Sequence, residues 1–554
     1  QTMTIDSILH NGEKISWTYQ NDYRFSIQLL HEIPPATIDS ISIYYQGIPE
    51  AGTGFGSFIQ SYHGGTPIIW TLSEPYGAKD WWPGKNDLRD KIDSIDVIVT
   101  TPKSYRAASH GLLVSEIETG DKKVYHWKHR YPIVSYLVAV AVTNYVSFVN
   151  YAVLRGDTLP ILEYVFPEDS ALIAFQTANT NEMIQLFDTL FGPYPFASEK
   201  YGHAQFAWGG GMEHQTMSFM GNYSHDIRAH ELAHSWYGNK ITLASWHDIF
   251  LNEGFATYST GLSYEHMYNG FYWNIWKSNT RNAVVAQPDG SIYVEDTTDV
   301  FRIFNARLSY HKGAYFLHTL RWIMGDENFF AALRNYTSDP LLAYGFASIA
   351  DFRFHFESMA GFDLSDYFDT WYYGEGYPIY TLDVGQLDDG RIMITIYQEQ
   401  SHQSVDYFRL PVPVTIYGGG EAKELVCYNS FSGEIFIFDA PGFALDSAKF
   451  DENQWIAAKL NALNLSVENR PKTSDLSIYP NPGSDQIEIS IPGFKIEDIV
   501  VYNIAGNKPT KVPFEITFDK AVLNLSKLEA GIYLIKCTAN DGTFFTGKFI
   551  KGTK

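Results

Sequence analysis

Hydrophobic and polar positions change rhythm several times along this chain. Up to about Thr158 apolar residues alternate with polar ones in runs such as RFSIQLL, SISIYYQG and KIDSIDVIVTTP, with Gly, Pro, Asn and Asp between them. Period-two alternation places every second side chain on one face, so these runs predict strands. After about Pro167 the apolar spacing lengthens to three and four, and DSALIAFQTANTNEMIQLFDTLFG predicts helix ending at Gly192-Pro193. Helical spacing continues to about Tyr373 through HDIRAHELAHSWYGN, LNEGFATYSTGLSYEHMY, HKGAYFLHTLRWIMG and ASIADFRFHFESMAG. Strand patterns return from Tyr377 to about Phe450 (IYTLDVGQL, RIMITIYQE, LPVPVTIYGGG, GEIFIFDA). A polar stretch near 464–474 reads as a linker, and alternation resumes from SIYPNPGSDQIEISIP to the final GTFFTGKFIKGTK. The expected layout is multidomain α+β: an all-β part at 1–158, an α-rich part at 159–376, a β-sandwich at 377–463 and a further β-domain at 472–554.

Length agrees, since 554 residues exceed what one hydrophobic core organises. The most apolar stretch, at 131–152, contains SYLVAVAVTNYVSFV. It is interrupted by Ser135, Thr143, Asn144 and Ser147 and is rich in β-branched residues, so it predicts buried strands and no transmembrane segment. A net charge of −23 argues against nucleic acid and anionic membranes, whose phosphates call for Lys and Arg. Two cysteines, Cys427 and Cys537, supply neither a disulfide framework nor a thiolate metal site.

Candidate chemistry centres on His230-Glu231-Leu232-Ala233-His234, in a helical pattern preceded by Ser224 and Asp226 as capping candidates. Residues four apart share a helix face, so both imidazoles can reach one metal while Glu231, one step round, faces its open position. With eighteen residues between it and His234, in the next helical pattern, stands Glu253 as the third ligand. Two imidazoles and one carboxylate suit zinc, with water in the fourth place. One Zn2+ per chain is expected.

HELAHSWYGN followed by NEGFA at this spacing resembles the aminopeptidase N family of zinc metallopeptidases, which also includes leukotriene A4 hydrolase. Thermolysin-type enzymes are the nearest rivals, but they carry Asp four residues past the third ligand, where this chain has Thr257. Gly210-Gly211-Met212-Glu213-His214 resembles the family's G-x-M-E-N segment, with His214 in place of the usual Asn. The resemblance implies that Glu213 binds the substrate's free α-amino group. WTLSEPYGAKDWW resembles T-Q-x-E-P-x-x-A-R and implies a second amine-binding acid at Glu74. Tyr310-His311-Lys312-Gly313 resembles Y-x-K-G and implies that Tyr310 donates to the oxyanion. Together these imply a saddle-like N-terminal β-domain, a thermolysin-like catalytic domain, and hydrolysis of the first bond of peptides with a free amino terminus, Glu231 serving as proton carrier.

At the other end, LSIYPNPGSDQIEISI, VVYNIAGN, LSKLEAGIYLIKC and GKFIK resemble the type IX secretion sorting domain of exported Bacteroidota proteins, an immunoglobulin-like β-sandwich. That implies a partner in the secretion machinery and a secreted or surface location outside a Gram-negative cell. The family's first domain starts with further strands, so the chain is expected to be truncated at its start, without a signal peptide. Two other readings stand beside the peptidase: an epoxide hydrolase of the leukotriene A4 hydrolase type, disfavoured by the missing helical domain, and an inactive binding or adhesion protein on the same scaffold, disfavoured by the intact set of site residues.

Overall fold

The computed structural model describes residues 3–21, 24–49, 55–466, 476–491, 495–503, 512–516, 520–540 and 544–552. They form two compact units, one of residues 1–286 and 290–373 and one of 287–289 and 374–554. The expected order of N-terminal sheets, a helical middle and a β-rich remainder is what the chain adopts.

In the first unit the alternating runs become strands much as their period requires: Arg24–Ile27, Ile41–Gly47 and Ile95–Pro102. The apolar 131–152 stretch gives a 3₁₀ turn at Ser135–Leu137 and strands Val140–Thr143 and Val146–Leu154. Val146–Leu154 pairs antiparallel with Asp157–Val165, which pairs parallel with Tyr201–Gln205. Ser218–Met220 adds in parallel, and Gly211–Met212 closes that edge. This five-stranded sheet runs straight across position 158, which lies inside Asp157–Val165, so a cut there would sever a paired strand.

The helices follow the longer spacing. Thr180–Phe191 stops at Gly192, whose φ of 99° an L side chain rarely adopts. Helix Phe250–His266 is buried nearly all round because it lies between His225–Ala233 and Gly313–Met324. Two glycines make the second contact possible. A Cβ on Gly313 would sit 3.0 Å from the Gly254 Cα, and one on Gly254 would sit 3.1 Å from the Gly313 Cα. The two helices therefore touch backbone to backbone, and the glycines after Glu253 and Lys312 bring Glu253 and Tyr310 to one place.

In the second unit, sheets Glu434–Phe438/Ile392–Gln400/Pro378–Gln386/Lys459–Ser466 and Glu421–Asn429/Leu410–Gly418/Ser447–Phe450 share a buried interior, where Tyr380 lies 5.3 Å from Phe450. Residues 464–466 end the strand Lys459–Ser466, and the rest of the expected linker, with the expected start at 472, lies outside the described residues. From Ser477 onward two sheets of four and three strands enclose a core that includes Ile487, Leu523, Ile535 and Phe549. Among the described residues no helix is long and apolar enough to cross a membrane.

Candidate metal centre and its cleft

Ser224 caps helix His225–Ala233 by accepting from the Ile227 amide at 3.4 Å. Asp226 instead accepts from the Tyr264 hydroxyl at 2.7 Å. His230 lies in the last turn and His234 just past it. His234 donates from Nδ1 to the Tyr237 carbonyl at 2.9 Å, which turns Nε2 toward Glu253, 3.5 Å away. His230 Nε2 is 3.0 Å from the same carboxylate oxygen, and the ligating atoms of His230, His234 and Glu253 all lie within 4.8 Å of one another. The histidine spacing on one helix and the glycine contact of the next have brought all three together.

This cluster sits in an acidic environment. Glu74, Glu213, Glu231 and Glu253 are all buried. Burial and mutual repulsion raise the proton affinity of Glu74, while Glu213 and Glu231 are raised mainly by burial, partly offset by His234. For Glu253 burial works against the charge, but His234 and His230 overcome it and hold the carboxyl at about 2. Conversely, His234 loses hydration on burial, yet the surrounding carboxylates drive it up to about 10. One oxygen each of Glu74, Glu213 and Glu231 is buried without a hydrogen-bond partner among the described residues. Unpaired buried carboxylates are costly, so the site is short of positive charge. Two imidazoles, a depressed carboxylate and this surplus of negative charge fit a divalent cation.

The cluster opens on a cavity of about 540 Å³ whose wall includes Glu74, Gly210, Gly211, Met212, Glu213, Glu231 and Tyr310. The glycines have steric reasons. A Cβ on Gly211 would lie 2.4 Å from the Glu231 carboxylate, and one on Gly210 would lie 2.4 Å from the Trp208 ring. Glu213 is held from behind by Asn239, whose amide donates to its carbonyl at 2.9 Å. His214 is the one expected residue that the cavity wall lacks. Its ring meets Phe219 edge-on at 4.3 Å, neither nitrogen has a partner, and burial pushes it down to about 3. Tyr310 sits in a π-helical turn, Ala306–Lys312, with its ring stacked 5.8 Å from His230. Burial, with nearby carboxylates, raises its proton affinity and keeps the hydroxyl a donor.

The structure adds residues that sequence reasoning missed. Tyr136, from the 3₁₀ turn, accepts from the Asn252 amide at 3.1 Å, and its hydroxyl helps hold the charge on Glu213. Its position in an apolar run had signalled only a buried strand. Phe55, Trp208 and Phe304 also line the cavity, and they share no motif.

Comparison with known proteins places these features. Residues 212–371 match the Peptidase family M1 domain, and residues 477–552 the Secretion system C-terminal sorting domain. Aminopeptidase M1-C of Oryza sativa subsp. japonica is 28% identical over 305 residues, covering 50% of this chain and 34% of the relative. Leucyl aminopeptidase of Saccharolobus solfataricus is 24% identical, covering 59% of this chain and 44% of its own length. The chain thus spans less than half of these curated relatives. Among solved structures, a variant M1 zinc metallopeptidase of Deinococcus radiodurans, bound to a Tyr-Ser-Ala substrate, superposes with a TM-score of 0.59 at 24% identity, over 67% of this chain and 84% of that one. Legionella pneumophila aminopeptidase A, in complex with aspartic acid, gives 0.69 at 17% identity, over 83% and 55%. At these identities the structural likeness speaks for the fold. The chain carries a peptidase family M1 domain, of the aminopeptidase N family, and behind it a type IX secretion C-terminal sorting domain.

Proposed function

We propose that this chain is a zinc-dependent aminopeptidase that removes the first residue of peptides with a free amino terminus. The observation that carries the reading is the pair of buried acids beside the metal cluster, Glu213 and Glu74, each with an oxygen that has no hydrogen-bond partner among the described residues. A substrate ammonium is a group of the right charge to satisfy them, and it fixes the first peptide bond in place. His230, His234 and Glu253 would hold the zinc, which supplies Lewis acidity when bound. Glu231 takes a proton from the attacking water and passes it to the leaving nitrogen. Tyr310 donates to the oxyanion as charge develops. Gly211 lets the substrate-facing loop approach Glu231, Gly210 lets it lie against the Trp208 ring, and Met212 lines the wall beside Glu213.

In this reading the tail is a passenger for catalysis and an address for export, carrying the enzyme to the surface or the medium through the secretion machinery. Four domains are kept, the first ending ahead of Val146. The test is a set of peptides, free and amino-acetylated, with and without a zinc chelator. Hydrolysis of the free peptides alone, lost on chelation and restored by zinc, is the expected result. Efficient internal cleavage of acetylated peptides would overturn the aminopeptidase reading in favour of an endopeptidase.

A further inference from the structure

An amine held by Glu213 and Glu74 determines where the rest of the first residue can go. The side chain leaves the carbon next to that nitrogen, so it must enter the part of the cavity flanking these acids. The chain neighbours there are apolar. Leu72 stands two residues before Glu74 and Met212 one before Glu213, and they are 1% and 3% exposed. Besides Tyr264, Tyr272, Trp276 and Tyr310, the cavity wall includes a group of three packed aromatic rings, Phe55, Trp208 and Phe304. Phe55 meets Trp208 at 5.6 Å with planes at 64°, and Phe304 at 5.2 Å with planes at 68°. This edge-to-face geometry suits aromatic attraction.

Exposure separates these three from the core aromatics. Trp127, Trp236 and Trp371 are fully buried, whereas Phe55, Trp208 and Phe304 are each partly exposed and line the cavity. They come from three separate segments and form a wall with an uncovered apolar face. Charge gives the second criterion. Among the described residues, the cavity lining includes no Lys or Arg, while its carboxylates are Glu74, Glu213, Asp226, Glu231 and Glu253. An acidic side chain would enter without a partner and against like charge. A basic one would find rings, but the two flanking acids are already engaged by the amine.

We propose that Phe55, Trp208 and Phe304, with Leu72 and Met212, form the pocket for the first residue's side chain, selecting aromatic and large apolar residues and rejecting acidic ones. This rests on the aminopeptidase reading. Discrimination by an apolar pocket of this kind amounts to ~10–200-fold.

The test measures kcat/KM on Phe, Leu, Ala, Arg and Glu p-nitroanilides with the full chain, Phe55→Ala and Phe304→Ala. Phe and Leu are expected ~10–200-fold above Ala, with Glu below Ala. Each variant is expected to shrink the Phe-to-Ala ratio by about tenfold. A ratio is used because it is insensitive to the fraction of variant that folds, and the unmodified chain tests the ranking alone. Ala, Arg or Glu as the best substrate overturns the pocket, as does an unchanged ratio in both variants. If none of the free-amine substrates is cleaved, the aminopeptidase reading itself fails, which is a different result from a wrong ranking.

Discussion

The loop at 211–216 has two sides, and two histidines report the difference between them. On the cavity side is His234, on the far side His214, and each is 1% exposed. Burial disfavours the imidazolium in both. At His234 the carboxylates of Glu213, Glu253 and Glu231 outweigh that cost and raise it to about 10. At His214 nothing offsets it, and the ring falls to about 3 against the edge of Phe219. Equal burial has produced shifts in opposite directions. The acidity of the cavity is therefore an arrangement of named groups on one face of the loop, and that face calls for cations while the other holds a neutral ring.

If the cavity side is catalytic, its proton carrier should be the most sensitive position. Glu231→Gln keeps the ligand set and removes the base. It is expected to lower kcat ~10³-fold or more while metal content, measured on the purified protein, stays the same. Turnover near that of the unmodified chain, or an empty site, would break the distinction between Glu231 and the ligands. Next comes Tyr310→Phe, which keeps the ring stacked on His230. Because the hydroxyl's bond strengthens as the oxyanion forms, the loss should be in kcat, ~100-fold, with little change in KM or thermal midpoint. A purely structural tyrosine would show the reverse.

How much of this was legible in the sequence follows from how local each cause is. His230 lies in the last turn of a helix with His234 just past it, and Glu253 and Tyr310 lie near glycines whose contact brings them together, so spacing pointed to the first three and a segment resemblance to Tyr310. Glu74 depended on a partial segment match, yet it lines the cavity. Tyr136 was not legible. It acts from a turn 116 positions before Asn252, and no periodicity in SYLVAVAV separates it from its apolar neighbours. His214 was misplaced for a related reason. A segment match gives neighbours along the chain, but which side of a loop a ring takes is decided by packing, here against Phe219. The boundary expected at 158 failed likewise, since the composition shift follows the helices while the sheet begins earlier, at Val146.

Tyr136→Phe sharpens the picture of the cavity side. Its hydroxyl links Asn252, the neighbour of Glu253, to Glu213, the proposed amine anchor. Losing one hydrogen bond to a charged group should cost about tenfold in kcat/KM, mostly through KM, because the amine anchor is what shifts. A lower melting point with an unchanged KM would reduce Tyr136 to a packing residue.

The far side of the loop is tested by His214→Asn, through stability. With a folded value of about 3 against ~6.5 when unfolded, His214 binds its proton more readily in the unfolded chain. Between those limits the unfolded state therefore carries the extra proton, and stability falls as pH falls, by up to ~1.4 kcal/mol per pH unit. Above ~pH 6.5 both states are neutral and the term vanishes. Asn does not titrate, so the variant should lose less stability than the unmodified chain as pH drops from 7 to 4. A buried amide without partners could lower stability at every pH, but that shifts the curve without changing its slope. His110, driven down mainly by burial and least by His214 itself, remains in both proteins, so most of its contribution cancels in the difference. Denaturant midpoints at several pH values measure it directly. Parallel curves would mean that His214 takes up its proton as readily in the folded chain as in the unfolded one, and the contrast between the two sides of the loop would be lost.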